Sequence, residues 1–316
     1  MELEATRCVL CGDSASSVEA TGMDYVYGCS EETFTHVRCA RCGHIYLNPR
    51  PKTSAIDVIY PESYGAYRAK FSSSGVFLTR VRDRVVRKRF ERTLTSLAEG
   101  ASVLDVGCGD GHLLLSLRRI RPDLRLLGLD WRFHPDVRHR LESAGVELIT
   151  ASLERVELGT SRFDAVLMNQ LIEHLWELRA GLAKIARALR DGGKLAVETP
   201  NTDGFDRRWF RNGLWGGYYA PRHLNLFSRA GLERILREEG FEVVQSFDLV
   251  APMVWIYSVQ ALRKARGWKW LWPIARDTSP FALALFTLVD YVAIATGRRT
   301  SNQKVVAVKP AAYSSA

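Results

Sequence analysis

Between Val103 and Gly111 the chain reads VLDVGCGDG, and no other stretch limits the possible folds so sharply. A short apolar run ends at an acid, glycines follow at alternate positions, and HLLLSLRRI then shows the apolar spacing of a helix. Strand, glycine turn and helix in that order open a βαβ unit. The alternation continues. LRLLGLD (Leu124–Asp130), VELITA (Val146–Ala151), FDAVLMNQ (Phe163–Gln170) and GKLAVETP (Gly193–Pro200) read as strands. Helical patterns separate them, among them LRAGLAKIARALRDGG, which stops at a glycine pair. SRAGLERILREEG (Ser228–Gly240) has a Ser N-cap and a terminal Gly, and FEVVQSFD and QKVVAVK (Gln303–Lys309) are the last strands. Short apolar strands alternating with helices predict an α/β fold, a mostly parallel, doubly wound sheet covered on both faces.

The glycines, Gly107, Gly109 and Gly111, are spaced G-x-G-x-G, whereas dinucleotide-binding turns use G-x-G-x-x-G. Asp105 stands two residues before the first of them. A carboxylate there repels a phosphate and suits a cation. S-adenosylmethionine meets the demand, with an ammonium group, a sulfonium and no phosphate. Glycines let the backbone approach it closely. Asp130, at the end of the next strand, can accept both ribose hydroxyls, because ligands of open parallel sheets bind at the carboxyl ends of strands.

The ordered run VLDVGCGDG, LLGLD, FDAVLMNQLIEHL, GGKLAVETPN and HLNLFS resembles the class I S-adenosylmethionine-dependent methyltransferases over residues 80–248 plus the terminal strand. The resemblance implies a seven-stranded Rossmann-like sheet whose last strand is antiparallel. It implies that Asp105, Gly107, Gly109 and Gly111 line the methionine pocket, that Asp130 holds the ribose, and that Asn169 and Gln170 flank the cofactor. Many relatives have an Asp after the third strand. Here Ser152 occupies that position, so Ser152 and the Leu153 backbone are the expected adenine contacts.

Cys8-x-x-Cys11 and Cys39-x-x-Cys42 form two pairs, each followed by Gly. Four thiolates so spaced can close around one tetrahedral Zn²⁺ as a structural site. A redox CxxC would stand beside a thioredoxin-like βαβ pattern, which is missing here. Cys29, His36 and His44 are alternative ligands, and Cys108 is a small residue of the glycine turn. VRCARCGHIYLNPRP resembles the N-terminal zinc-binding module of bacterial small-molecule methyltransferases, including sugar C-methyltransferases acting on nucleotide-linked keto-sugars. Those enzymes carry a further large C-terminal domain for which this chain leaves no room, so their particular reaction is not carried over.

Methyl transfer is an in-line displacement at a sulfonium carbon, so alignment and exclusion of water dominate. A hydroxyl acceptor must also lose a proton, most easily to His or a carboxylate. His174 and Glu173 in LIEHL, and His223 in YYAPRHLNLFS, are the expected catalytic residues. Tyr218 and Tyr219 as a lid, Arg222 as a phosphate holder, and Glu198 and Asn201 at the end of the fifth strand are the expected acceptor contacts.

The expected domains are a zinc module (1–60), a linker (61–79) containing FSSSG, a methyltransferase domain (80–248 and 303–310) and a helical insertion (249–302). Within the insertion, Trp268, Trp270 and Trp272 alternate with basic or apolar residues. The segment reads as helices packed over the acceptor, or as a peripheral contact of 263–296 with the inner face of a membrane. It is too short and too interrupted by Asp290 to span one. The chain carries a net charge of +9, which favours anionic partners or simply marks a basic, solvated surface. No secretory signal is visible, and six cysteines in 316 residues are no disulfide scaffold, so a cytoplasmic location is expected. Together these features predict an enzyme of small-molecule, glycan or lipid-linked acceptors, with oxygen as the favoured atom. The rivals are an RNA methyltransferase, against which the amine-methylation signature N/D-P-P-F/Y is missing, and a non-enzymatic docking protein.

Overall fold

The computed structural model describes residues 1–61, 64, 76–276 and 279–311. Its N-terminal part is built from short strands: β1 (Leu3–Glu4), β2 (Ser16–Gly22), β3 (Phe34–Cys39), β4 (Ile45–Leu47) and β5 (Arg50–Pro51), followed by a single turn, α1 (Ile56–Ile59). Most of the expected linker lies outside the described residues, FSSSG included. Residues 76–79 begin α2 (Val76–Leu94), a helix that absorbs the basic run RVRDRVVRKRFERTL.

The predicted strands pair as expected. β6 (Ser102–Val106), α3 (His112–Ile120), β7 (Arg125–Asp130), α4 (Pro135–Ser143), β8 (Glu147–Thr150), β9 (Phe163–Asn169), α5 (Leu178–Ala188) and β10 (Leu189–Pro200) run in sequence as βα units. Then come β11 (Asn225–Leu226), α6 (Arg229–Glu238), β12 (Glu242–Asp248), α7 (Pro252–Arg266), α8 (Pro280–Ala295) and β13 (Asn302–Val308). The main sheet has the order β12-β13-β10-β9-β6-β7-β8, with β13 antiparallel to both neighbours and the inner strands parallel. The helical insertion before the last strand is present as α7 and α8.

Alternation along the strands explains why both faces are covered. Val103 packs with α2, α3 and α4 residues such as Phe90, Leu117 and Leu141, while Leu104 next to it packs with Leu182, Ile185 and Leu232 on the other face. Ala165 and Leu167 face the first cluster, and Val166 and Met168 the second. Truncating a fully buried leucine such as Leu104 to Ala would cost about 2–5 kcal/mol.

Two features differ from the sequence expectation. The helix over LRAGLAKIARALRDGG ends at Ala188, before the glycines, because Leu189 is buried and already pairs with Phe163 as the first residue of β10. The second concerns the N-terminal sheet, whose order is β11-β4-β3-β2. Its outermost strand, Asn225–Leu226, is supplied by the segment between β10 and α6. Cys8, Leu10, Cys39 and Tyr46 share a hydrophobic cluster with the main sheet, so the cysteine-bearing part is packed onto the α/β layer.

Candidate active site

The sheet order reverses between β6 and β9, and the crevice at their carboxyl ends is the place where such folds bind ligands. A cavity of about 670 Å³ opens there, lined by Gly107, Gly109, Asp130, Ser152, Leu153, Gln170 and His174 among the expected residues. That size lies within the ordinary range of small-molecule pockets, roughly 300–1,000 Å³.

The glycine turn is pinned to the neighbouring strand. Gly107 N donates to Leu129 O at 2.7 Å, and Gly109 N donates to Asp130 Oδ2 at 2.8 Å. Gly107 has φ +71°, and a Cβ there would lie 2.8 Å from a Leu171 methyl, so both the backbone conformation and the space demand glycine. Gly111 also has positive φ but serves packing, because a Cβ would meet Leu141 at 2.6 Å. Asp105 lies beneath the turn. It is buried, and one of its oxygens has no hydrogen-bond partner among the described residues. Burial, with Asp130 close by, holds its carboxyl well above the usual carboxylate range. Burial lifts Asp130 to about 6, opposed by the N–H groups of Gly109, Arg132 and Trp131. Two neighbouring carboxyls held short of full ionisation form a place that a cationic ligand would relieve. The arrangement therefore fits S-adenosylmethionine: a bare backbone cradle, an unpartnered buried acceptor and a second acid at the cavity wall.

Beside this cavity three side chains converge. Glu173 is fully buried; Thr199 Oγ1 donates to its Oε2 at 2.8 Å, and Oε1 has no partner among the described residues. His174 Nε2 and His223 Nε2 stand 3.9 Å and 3.8 Å from that oxygen. The Nδ1 atoms face carbonyl oxygens, Arg222 O at 3.1 Å and Gly217 O at 2.8 Å. A carbonyl only accepts, so Nδ1 of His223 carries the proton and its Nε2 is bare; His174 has the same tautomer where its Nδ1 donates to Arg222 O. Burial lowers the His174 imidazole to about 3 and His223 well below its usual range, and it lifts Glu173 to about 8. At neutral pH the cluster is uncharged, with its proton on the carboxyl. His174 reaches the cavity wall, and its Nδ1 also contacts Tyr60 Oη at 2.8 Å.

The expected acceptor contacts have other partners. Arg222 is fully buried and forms a bidentate pair with Asp24 at 2.5 and 3.1 Å, between the rings of Tyr27 and Tyr219. Glu198 is buried with Arg89 on both oxygens and Lys304 at 3.2 Å, because Lys304 is its cross-strand partner on β13. Asn201 closes a turn by accepting from Asp203 N, and it also donates to Asp248. Tyr218 is buried against Trp215 and His36, and Tyr219 stacks on Tyr257 and packs against His223. None of these five lines the cavity. Asn169 lies behind its wall, hydrogen-bonded to Asp105. The groups over the cavity that sequence reasoning missed are Tyr60, Tyr64, Trp131 and Trp176. For Trp131 a signal existed, an aromatic directly after the ribose acid. Gln170 adopts φ +51°, a strained conformation for a residue other than glycine, at the cavity mouth.

Cys8 Sγ lies 3.4 Å from Cys42 Sγ, and Cys11 Sγ 3.5 Å from Cys39 Sγ; all four sulfurs fall within 4.8 Å of one another. Gly12 N bonds Cys8 O and Gly43 N bonds Cys39 O, so the two turns match. Sulfurs about 2.3 Å from a tetrahedral Zn²⁺ would sit about 3.8 Å apart, so the four thiols fit that ion. Cys29, His36 and His44 lie outside the group: His36 Nε2 donates to His223 O at 3.3 Å, His44 Nε2 faces Asn225 Oδ1, and Cys29 sits beside Arg222.

Residues 78–246 match the family model described as a methyltransferase domain, more than half of the chain. An uncharacterized methyltransferase of Mycobacterium tuberculosis is 34% identical over 113 residues, 36% of this chain and 55% of that protein. A ubiquinone biosynthesis O-methyltransferase of a Bradyrhizobium species is 30% identical over 159 residues, 46% of this chain and 58% of that protein. The chain thus spans little more than half the length of the curated relatives it matches. Among solved structures, phosphoethanolamine N-methyltransferase 2 of Haemonchus contortus, in complex with phosphomonomethylethanolamine and S-adenosylhomocysteine, has the same fold. It covers 94% of this chain and 69% of its own, at 18% identity and a TM-score of 0.54. With the reversed sheet order, the glycine cradle and its two acids already in place, the chain belongs to the class I S-adenosylmethionine-dependent methyltransferase family.

Proposed function

We propose that the protein methylates a hydroxyl oxygen of a small-molecule, glycan or lipid-linked acceptor, with four cysteines holding a structural zinc ion. The observation that carries the reading is the Glu173–His174–His223 cluster, which reaches the cofactor cavity through His174. S-adenosylmethionine supplies, when bound, a methyl group on a positively charged sulfur that leaves with the bonding pair. The chain has the remaining tasks: to align the acceptor, to exclude water and to take one proton. With Glu173 ionised the cluster carries a single negative charge. An acceptor proton arriving at His174 Nε2 restores neutrality through the neighbouring carboxylate. With Glu173 protonated, the same transfer would leave a net positive charge in a buried site, which is unfavourable. Turnover should therefore rise with pH through about 8. Similarity to an O-methyltransferase supports oxygen as the acceptor atom.

The aromatic residues Tyr60, Tyr64, Trp131 and Trp176 over the cavity supply the dry cover that such chemistry needs. The four thiols, when they hold zinc, would fix β3 and the N-terminal turn against the main sheet. The test is incubation of a metabolite and lipid extract with isotope-labelled S-adenosylmethionine, followed by mass spectrometry of the labelled product. Label on an ether oxygen supports the reading. Label on RNA, abolished by RNase, would replace it with an RNA methyltransferase. Tight cofactor binding without label in any product would favour a docking protein.

A further inference from the structure

The helix α8 is apolar on both sides, and one side has no cover among the described residues. Ala282, Phe286 and Ala293 are buried against α7, with Trp255 stacked on Phe286 at 5.4 Å. The opposite stripe, at i, i+4, i+7, i+10 and i+11, is Phe281, Leu285, Leu288, Tyr291 and Val292, of which Phe281 and Leu288 are more than 60% exposed. A helix apolar all round belongs in a buried setting. At each end of the stripe stand exposed cations: Lys264, Arg266, Lys269 and Arg276 by the α7 end, Arg298 and Arg299 beyond the α8 C-terminus. Trp268, Trp270 and Trp272 are exposed beside the first group, with Trp270 71% exposed and Trp272 between Arg263 and Arg276. The acids of residues 252–299 are Asp277 and Asp290 alone, and Asp290 is buried, accepting from Ala251 N and Trp255 Nε1.

We propose that this face docks on an anionic lipid bilayer, with α8 lying in the interface plane. The stripe would sink among the acyl chains, the tryptophans sit at headgroup depth, and the cations meet lipid phosphates. Among the described residues no helix is long and apolar enough to cross a membrane, and α8, at 16 residues, would reach about 24 Å, short of a hydrocarbon core of about 30 Å. A second copy of the chain is the poorer occupant, because it would bring two clusters of like charge together across the same apolar stripe. α7 also joins this face to the histidine cluster: Tyr257, on α7, stacks on Tyr219, which packs on His223. The inference does not rest on the identity of the acceptor.

The experiment is co-sedimentation of the full chain with vesicles of phosphatidylcholine alone and of phosphatidylcholine with phosphatidylglycerol, at low and high salt. Binding to the anionic vesicles that weakens with salt is expected. Leu288→Asp should abolish it, and Lys264→Glu with Lys269→Glu should weaken it by at least about fivefold per cation removed. Both sites are exposed, so S-adenosylmethionine binding should stay at the parental level and report that the fold is intact. Three outcomes would overturn the proposal: parental vesicle binding by Leu288→Asp, no binding to anionic vesicles by the parent, or a dimer in sedimentation velocity that Leu288→Asp dissociates.

Discussion

Replacing Glu173 with Gln should stabilise the protein while abolishing turnover. Burial raises this carboxyl from its ordinary 4.5 to about 8, so between those values the folded chain holds a proton that the unfolded chain has released. Stability therefore falls as pH rises from about 4.5, and the whole loss is reached once pH passes about 8. At about 1.4 kcal/mol per pH unit, the loss is roughly 3 kcal/mol at pH 7 and roughly 5 kcal/mol above pH 8. The amide has the carboxyl's shape and never ionises. Its oxygen can accept from Thr199 Oγ1, and its NH₂ faces the two Nε2 atoms. Urea unfolding of both proteins at about pH 5, 7 and 9 measures the effect, beside a methyl-transfer assay. The two proteins should nearly coincide at the acid end, and the variant should lead by a widening margin above it. A margin that does not grow with pH would refute the burial account, and a variant that turns over at the parental rate would refute the catalytic role.

Acid should unfold the protein steeply. His36 and His44 are held at about 4 by burial, so stability present above pH 6.5 drains as pH falls towards 4, by up to about 3 kcal/mol for each; circular dichroism across that range checks it. Asp130→Ala should weaken S-adenosylmethionine binding by about ten- to a hundredfold, the loss of one charged hydrogen-bonding group, as read by calorimetry. In the parent, affinity should climb as pH rises through about 6, where Asp130 ionises. Cys39→Ser should remove about one equivalent of zinc by elemental analysis and lower the unfolding midpoint, because metal binding and folding are linked.

The glycine turn and its acids were legible because their chemistry is local: Asp105, the three glycines and Asp130 sit at the ends of adjacent strands, where the sequence pattern puts them. Glu173, His174 and His223 were legible as reactive types in plausible places. Their mutual approach was not, since His223 arrives from a segment some fifty residues later. Arg222 and Glu198 were misread for one physical reason. Each looked like a free charge, but Asp24 lies 198 positions from Arg222, and Arg89 lies 109 positions from Glu198. Nothing local foretells that a charge is already neutralised. β11 escaped notice because a two-residue strand has no periodicity to detect.

The long-range pairs also change what the cysteine-bearing part is for. An appendage would leave the Glu173–His174–His223 cluster intact if it were loosened. Here it reaches that cluster at several points: His36, on β3, donates to the His223 carbonyl; Asp24 anchors Arg222, the residue before His223; and Tyr60 contacts His174. β4 pairs with β11, two residues after His223. These contacts hold the two imidazoles, or the backbone beside them, and the Arg222 and Gly217 carbonyls that their Nδ1 atoms face. A shift of β3 by about an ångström would misplace Nε2 while every cofactor-binding group stayed where it is, and misplacement of that size is costly to an in-line transfer. Metal held by the four cysteines would thus be a remote support for the geometry of Glu173, His174 and His223. Zinc removal should accordingly depress turnover more than it depresses cofactor affinity, because the glycine cradle and Asp130 are held by hydrogen bonds between the β6 turn and β7, whereas His223 is held directly from β3.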